Sequence, residues 1–324
     1  MKKYNFIKDL AADLDKVNNL DLYSGFNKEI IELIELLEKI NPCNQEYELL
    51  NNNIIISYFL QINLFNFKNI FPLIAKVQVI GLPISISEKG YWGEQASVVK
   101  TVEKRKGLKI LLNGNSKFKN AGRTLSTFIF ENKFSSFNEY LDALRSHYRR
   151  RINKALNHRN NIVIRKFNPK NFNENHYKLY LSIMDRIKNP LETLPIKYFT
   201  DYEAELYEFV DKKSKDIIGF IQLKEMEDKL CFLFGGFRRE DNFKYDIYYN
   251  MLLKIIEIGI EKQVNYIEFG QTAEECKMKI GCKEIPKYLY VHHSNPILNC
   301  VIQLLVPFFS YKPYNIEHHV FKQV

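Results

Sequence analysis

The sequence contains no apolar run that approaches the roughly 18 residues needed to span a bilayer. Its first 20 residues lack the charged and then apolar pattern of a secretory signal peptide. Five cysteines stand at irregular positions among 324 residues, which argues against a disulfide framework. These absences predict a cytoplasmic protein with at most peripheral membrane contact.

Metal-binding spacings are also missing. Five residues separate Cys276 from Cys282, which is not a known zinc spacing, and His292 and His293 follow without a regular pattern. We therefore predict no metal. A thiol nucleophile needs a lowered pKa, and only neighbouring lysines would lower that of Cys276, so we interpret it as a free cysteine.

What is present suggests two domains. A chain of 324 residues with 46% apolar content can fill two cores. Helical spacing predicts an amphipathic helix from Asn27 to Ile40. No internal sequence repeat is visible. Four runs in the first half are rich in β-forming residues: Ile54 to Leu60, Leu73 to Ile80, Leu108 to Leu112 and Thr124 to Phe130.

The most informative stretch runs from Tyr245 to Gly281, and the evidence for its fold starts upstream of it. Asp216 to Lys224 and Lys229 to Phe237 predict an antiparallel hairpin. Asp246 is then predicted to cap a helix whose apolar positions recur at helical spacing. Val264 to Phe269 follows as a short buried strand, and a strand, helix and strand in series predict a parallel pair with a right-handed crossover.

The carboxyl ends of these strands form the expected ligand crevice. Gly235 lies near the end of the first strand, and Gly270 closes the second. In open sheets, ligands bind outside the carboxyl ends of parallel strands. The sequence therefore predicts a site between these two glycines.

Three motifs carry a family resemblance. They are Y-D-I-Y-Y-N at Tyr245 to Asn250, F-G-Q-T at Phe269 to Thr272 and K-M-K-I-G at Lys277 to Gly281. On these motifs the chain resembles the GNAT superfamily of N-acyltransferases, and more narrowly its FemAB-like branch of peptidoglycan-biosynthesis and acyltransferase proteins. A looser likeness extends from about Leu125 to the C-terminus.

This resemblance implies an α/β (α+β) protein with a double GNAT-like fold, built from two mixed sheets flanked by helices. It implies an N-acyltransferase that moves an acyl group from a thioester, acyl-CoA or acyl carrier protein, to an amine on a small molecule or cell-envelope precursor. Two alternatives stay open: amide formation of the Fem type from aminoacyl-tRNA, and a non-catalytic binding protein. No tightly bound cofactor is expected.

Four segments follow from the resemblance and from the composition. They are a degenerate GNAT-like domain (1–135), a basic linking helix (136–160), a GNAT acyltransferase domain (161–295) and an apolar tail packing on the body (296–324).

One position departs from the acetyl-CoA-binding members of the superfamily. Those members carry a glycine-rich loop before the long helix, whose backbone N–H groups hold a pyrophosphate. Here the corresponding residues, 238–244, contain no glycine. The side chains of Arg238, Arg239 and Lys244 are candidate phosphate ligands, and the alternative interpretation is a solvated loop.

The positive charge is concentrated in residues 101–170, which hold 17 basic and 4 acidic residues. Within them we predict one helix from Phe137 to Asn157, with Arg149, Arg150 and Arg151 mostly off its apolar stripe. Such a surface suits a polyanion, namely tRNA, coenzyme A phosphates, an acidic acyl carrier protein or an anionic membrane. We expect no DNA partner. The alternative is a solvated basic helix.

Acyl transfer to an amine needs a polarised carbonyl and a path for a proton. Tyr245, Tyr249 and Glu268 are the candidate catalytic residues, whereas the helical stripe indicates that Tyr248 is core. His292 and His293 are further residues able to handle a proton.

Two groups of residues are candidates for substrate binding. Gln271, Thr272 and Lys277 fall at a strand end and on the following short helix. Phe234, Gly235 and Gly236 would expose backbone groups to the donor, although the glycines are equally typical of a bulge or turn.

The C-terminal segment from Ile297 to Phe309 is apolar nearly all round and is broken by Pro307. It is too short to span a membrane. We expect it to pack across the domain seam, and the alternative is a shallow contact with a membrane or a partner.

Overall fold

The computed structural model describes residues 2–16, 23, 25–41, 43–50, 52–67, 71–117, 121–187, 192–226 and 228–322. The chain forms two compact units. Unit 1 comprises Met1–Ser126 and Pro286–Lys312, and unit 2 comprises Thr127–Ile285 and Pro313–Val324. Both units are discontinuous in sequence, whereas the predicted domains are consecutive segments.

Up to residue 114 the chain contributes only to unit 1. Its elements are β1 (Lys2–Tyr4), α1 (Ile7–Lys16), α2 (Lys28–Ile40), β2 (Glu46–Leu50), β3 (Asn53–Phe67), β4 (Phe71–Ile80), β5 (Tyr91–Trp92), α3 (Gln95–Glu103) and β6 (Leu108–Gly114).

The chain then enters unit 2. Its elements are β7 (Gly122–Glu131), α4 (Phe137–Ala143), α5 (Ser146–Arg159), β8 (Ile162–Phe167), a 3-10 turn (Pro169–Asn171), α6 (Glu174–Met184), α7 (Ile196–Asp201), β9 (Glu205–Asp211), β10 (Ile217–Met226), β11 (Lys229–Phe237), α8 (Arg239–Tyr245), α9 (Ile247–Glu261), β12 (Tyr266–Glu268) and α10 (Glu274–Met278). Finally β13 (Lys283–His293) and α11 (Pro296–Phe309) lead back into unit 1.

The sheet of unit 1 has the strand order β1, β2, β3, β4, β6, β13. Neighbours are antiparallel except β4 and β6, which run parallel from Val77 opposite Leu108 to Ile80 opposite Leu111. The connection between them contains α3, whose Val98 and Val102 are buried with Leu111 in one apolar cluster. Burial of such side chains stabilises the layer of helix on sheet.

The sheet of unit 2 has the strand order β7, β12, β11, β10, β9, β8. Its one parallel pair among these strands is β11 with β12, and α9 provides the connection. Most side chains of α9 are buried, because α5 packs on one side of it and the sheet on another. Each unit therefore has antiparallel strands, a helix and a parallel strand in the same order, which confirms the predicted fold class and the predicted hairpin.

One helix prediction is wrong in its continuity. The segment from Phe137 to Asn157 forms two helices, α4 and α5, because Leu144 and Arg145 take extended backbone conformations. The N–H group of Arg145 donates to the Val320 carbonyl, and Leu144 forms a β-bridge with Phe321. A contact with the distant C-terminus thus interrupts the helical pattern.

The C-terminal apolar segment forms α11, but it is not packed as expected. Only Val306 among its residues is buried. The other residues of α11 are half-buried or exposed, although the helix is apolar nearly all round. None of the helices in the described part of the chain is long and apolar enough to cross a membrane.

Candidate active site

Strands β11 and β12 of unit 2 share only a short parallel pairing. They are paired only from Lys229 opposite Tyr266 to Cys231 opposite Glu268, although β11 continues to Phe237. We call the region between residues 232–237 and the chain that follows β12 the fork. In unit 1 the parallel pair ends with Ile80 opposite Leu111, and β6 continues for only three residues beyond it, to Gly114.

The loop on the β12 side of the fork has unusual backbone geometry. Gly270, Thr272 and Ala273 have φ values of 66°, 65° and 52°. A β-branched residue such as Thr272 rarely adopts a positive φ, and such conformations persist only where the surroundings enforce them. The loop is therefore held in place by its contacts.

Lys277 provides the main contact that holds this loop. Its side chain is 1% exposed. Its amino group donates hydrogen bonds to the carbonyl oxygens of Gly270 (3.2 Å) and Gln271 (2.6 Å) and lies 5.6 Å from the centre of the Phe128 ring. Burial lowers the pKa of Lys277 to about 7, because removal from water disfavours the charged form.

These two hydrogen bonds also orient the neighbouring N–H groups. In a planar trans peptide, the C=O of one residue and the N–H of the next point in opposite directions. Because the carbonyls of Gly270 and Gln271 point toward the Lys277 amine, the N–H groups of Gln271 and Thr272 point away from it. Both N–H groups therefore lie on the side of the loop away from Lys277, and backbone N–H groups can stabilise an anionic oxygen.

Glu268 lies at the end of β12, on the strand that leads into the fork. It is 8% exposed. Its carboxylate accepts hydrogen bonds from the Thr127 hydroxyl (3.3 Å) and the Lys229 amino group (2.8 Å). The predicted catalytic carboxylate is thus an ion-paired one, and its role stays a prediction.

The burial of the tyrosines at the junction of α8 and α9 is the reverse of the prediction. Tyr245 and Tyr249 are buried in the core, whereas Tyr248, predicted as core, is half-buried. The Tyr245 hydroxyl donates to Asp211, and the Arg151 guanidinium lies 4.1 Å from the centre of the Tyr249 ring. Burial raises the pKa of both tyrosines, which weakens them as acids.

The glycine pair of β11 is explained by packing. Gly235 and Gly236 pair regularly with β10, and the register irregularity lies before them, between Phe232 and Phe234. A Cβ on Gly236 would lie 2.5 Å from the Leu179 carbonyl carbon of α6. Neither glycine is the bulge or turn that the sequence left open.

Phe234 belongs to an aromatic cluster at the same end of β11. Its ring lies 5.5 to 6.0 Å from those of Tyr180, Tyr198 and Phe199. These contacts fix the direction of the Phe234 side chain. The core formed by α6 and α7 therefore reaches this end of β11.

Residues 239–245 form the short helix α8, so the interpretation as a solvated loop is wrong. Arg238 pairs with Asp241 at 2.6 Å, and Lys244 pairs with Asp211 at 3.5 Å. Arg239 is exposed and lies 6.0 Å from the Phe243 ring. Two of the three candidate phosphate ligands are therefore already paired with carboxylates.

The N-terminus of α9 already has a side chain of the protein as a hydrogen-bond partner. Asp246 does not cap it, because this residue has a positive φ of 50° and its side chain makes no cap hydrogen bond. Instead, the Asn242 side chain accepts the N–H of Tyr248 at 3.0 Å. The Asp246 carboxylate contacts Arg151 at 2.5 Å and His158 at 3.0 Å.

The exposed face of α5 retains positive charge. Arg150 and Lys154 are exposed, whereas Arg149 lies 3.6 Å from Asp142 and Arg151 is engaged with Asp246. A depression of about 470 Å³ at the carboxyl end of α5 is lined by Arg159, Lys212 and Lys254 together with Leu156, Asn160, Ile162 and Ile164.

The remaining candidates belong to unit 1 or lack the required chemistry. His292 and His293 belong to unit 1, where His292 stands opposite Lys109 in the sheet. Burial raises the pKa of the Cys276 and Cys282 thiols, which opposes formation of a thiolate. The sequence did not single out Asp211, Asn242 or Thr127, because nothing local marks their long-range hydrogen bonds.

No protein-family model matches the chain, and no curated protein matches it by sequence. Among solved structures, FemX matches with a TM-score of 0.52 and 10% identity, over 94% of this chain and 100% of that chain. The C-terminal DUF2156 domain of a putative lysylphosphatidylglycerol synthetase from Agrobacterium fabrum matches with a TM-score of 0.51 and 9% identity, over 91% and 95%.

A conserved protein of unknown function from Bacteroides thetaiotaomicron also matches, with a TM-score of 0.52 and 10% identity, over 86% and 96% of the two chains. The chain therefore shares the fold of FemX, which confirms the FemAB-like fold that the sequence predicted. At these identities the likeness concerns the fold alone.

Proposed function

We propose that this protein is an acyltransferase that joins an acyl group, delivered on a polyanionic carrier, to an amine at the fork of unit 2. The observation that carries this proposal is the end of the parallel pairing beside a loop that Lys277 holds by two backbone carbonyls. The acceptor is an amine on a small molecule or a cell-envelope precursor.

The chemistry at the fork follows from the backbone. The amine nitrogen attacks the acyl carbonyl carbon, a C–N bond forms, and the bond from carbon to the carrier oxygen or sulfur breaks. The N–H groups of Gln271 and Thr272 stabilise the oxyanion, and the amine proton passes to the leaving group or to solvent. Lys277 acts as a positioning residue, because it sets the direction of both N–H groups.

The arrangement favours aminoacyl-tRNA over acyl-CoA as the donor. A pyrophosphate is commonly bound at the N-terminus of the helix after the hairpin. Here Asn242 already accepts an N–H group at that end, and the Asp246 carboxylate would repel phosphate. The exposed cations Arg150 and Lys154 on α5 instead suit the backbone of a nucleic acid. Acyl-CoA and acyl carrier protein thioesters are the second candidates.

A donor panel tests this proposal. The wild-type protein is titrated with charged tRNA, acyl-CoAs and acyl carrier protein thioesters, and transfer to a set of amines is followed by mass spectrometry. The double variant Arg150→Glu/Lys154→Glu should weaken tRNA binding and lower the salt dependence, because fewer counterions are released. The matched control Lys8→Glu/Lys28→Glu makes the same charge change on α1 and α2 of unit 1.

Three results are informative. Transfer from charged tRNA, weakened by the α5 variant and not by the control, supports the proposal. Transfer from a thioester alone would support acyl transfer as the reaction, and it would identify a thioester as the donor in place of aminoacyl-tRNA. Binding without transfer from any donor would contradict the proposal and favour the non-catalytic alternative.

A further inference from the structure

Helix α11 has its polar side chains turned inward and its apolar side chains turned outward. The Asn299 side chain accepts the N–H of His293 at 3.0 Å, and the Gln303 amide donates to the Val291 carbonyl at 2.7 Å. Seven large apolar side chains of the helix are each at least 40% exposed: Ile297, Leu298, Val301, Leu304, Leu305, Phe308 and Phe309. We call these seven the apolar face of α11.

This arrangement is the inverse of an ordinary surface helix, which buries its apolar stripe and exposes its polar one. Scattered exposed apolar residues need no explanation, but a contiguous set on one helix marks an interaction surface. The inward hydrogen bonds of Asn299 and Gln303 fix the helix in this orientation, so a rotation about its axis would break them.

The charges around α11 indicate the kind of partner. Residues 294–311 contain no charged side chain, and Lys312, which follows them, is exposed. At the other end, Gly107 exchanges two hydrogen bonds with Ser294, which brings the exposed Lys104 and Lys106 close to the start of the helix.

The nearest carboxylate to this loop in sequence, that of Glu103, accepts the Tyr290 hydroxyl at 2.5 Å. The apolar face is thus bordered by lysines at both ends. An apolar strip with flanking cations is complementary to a lipid surface that combines acyl chains with anionic headgroups.

We propose that α11 is an interfacial helix that lies on the surface of an anionic lipid bilayer, with its apolar face among the acyl chains and Lys104, Lys106 and Lys312 at the headgroups. A second copy of the chain fits this face less well. In either relative direction of two helices, the lysines of one copy would approach those of the other, and like charges would repel. The proposal concerns binding alone and does not depend on the proposed catalytic function.

Vesicle co-sedimentation tests it with the full-length chain. We expect binding to vesicles of about 30% phosphatidylglycerol in phosphatidylcholine, and much weaker binding to phosphatidylcholine alone. The variant Leu304→Gln/Phe308→Ser should reduce partitioning at least about tenfold, because both apolar side chains would leave the acyl region. Phe6→Ser, which removes an exposed aromatic ring elsewhere in unit 1, is the matched control.

A fluorescent label provides a second measurement, in which the apolar face of α11 is left unchanged. Cys300 is exposed on α11, whereas the other four cysteines are buried or half-buried. A polarity-sensitive dye on Cys300 should shift to the blue with anionic vesicles and lose the shift in Lys104→Gln/Lys106→Gln/Lys312→Gln. An unchanged spectrum, equal binding to neutral vesicles, or self-association through α11 without vesicle binding would each overturn the proposal.

Discussion

The two units place their strands in the same order, and they differ at the end of the parallel pair. In unit 1 the pairing of β4 with β6 continues to the last residue of β4. There the backbone of Gly90 approaches that of Gly81 so closely that a Cβ on Gly90 would lie 2.3 Å from it. In unit 2 the pairing likewise lasts until β12 ends at Glu268, but β11 then continues for six residues, to Phe237, against three for β6 in unit 1, and borders the fork.

This difference is the reason for placing the candidate site in unit 2. Backbone N–H groups engaged in a closed ladder have their partners, whereas the edges of an open pair can serve a ligand. The same topology thus leaves a short end beside Gly90 in unit 1, which we call the closed end, and a longer end at the fork of unit 2. The two units also use their buried lysines differently. Lys277 holds the loop of the fork, whereas Lys109 of unit 1 donates to the carbonyl of Arg105, after α3.

The largest effect should come from exchanging these lysines for methionine. Lys277→Met removes both hydrogen bonds to the loop, so the N–H groups of Gln271 and Thr272 lose their direction. We expect kcat to fall about 10²–10³-fold with little change in KM, since an oxyanion contact acts in the transition state. Lys109→Met, equally buried, should leave kcat within about threefold. Equal losses in both variants would contradict the assignment to unit 2.

A second pair of variants concerns the glycines at the two strand ends. Gly236→Ala forces a Cβ against Leu179, and Gly90→Ala forces one against Gly81. Each should lower the free energy of unfolding by about 1–3 kcal/mol, measured by urea denaturation. If the proposed acyl transfer is correct, only Gly236→Ala should also reduce turnover by the folded protein. A turnover defect in Gly90→Ala would imply that the closed end takes part in function.

The third prediction uses the lowered pKa of Lys277, about 7 in the folded protein. Between pH 7 and the ordinary lysine value of about 10.4, the unfolded chain binds more protons at this residue than the folded protein. Stability should therefore rise with pH in this window, by at most about 1.4 kcal/mol per unit. Lys277→Met should lack this rise, so its stability relative to wild type should decrease from pH 7 to pH 9. A pH-independent difference between the two proteins would refute the buried, largely neutral amine.

The smallest effect is expected at the start of α9. Asn242→Ala removes the acceptor for the Tyr248 N–H group and should cost about 1 kcal/mol of stability, as for other helix caps. Thermal unfolding would measure this loss, with Asn153→Ala on the exposed face of α5 as the control. If acyl-CoA binding improved in the variant, the thioester donor would become the stronger candidate.

Local patterns predicted much of this structure. The β-rich runs, the hairpin of β10 and β11, the long helix α9 and the strand before Gly270 all follow from periodicity and turn residues, and the parallel pairing follows from their order. The motif F-G-Q-T marks the loop of the fork, and Lys277 was already a candidate. Its hydrogen bonds to two carbonyls depend on three-dimensional packing and leave no pattern in the sequence.

The wrong predictions share a cause, which is contact between distant residues. The break between α4 and α5 depends on residues 320 and 321. Strand β13 was missed because Pro286 interrupts its pattern, and it joins β6 from the far end of the chain. The burial of Tyr245 depends on Asp211, and the inverted orientation of α11 depends on backbone groups of β13.

A complex with a stable donor analogue tests the central claim most directly. The analogue is the 3′ end of an RNA carrying an amide-linked aminoacyl group, and its position is determined crystallographically. We predict the acyl carbonyl oxygen in the fork, about 2.7–3.1 Å from the N–H groups of Gln271 or Thr272. An analogue bound at the closed end of β4 and β6, or a carbonyl oxygen away from both N–H groups, would contradict the account.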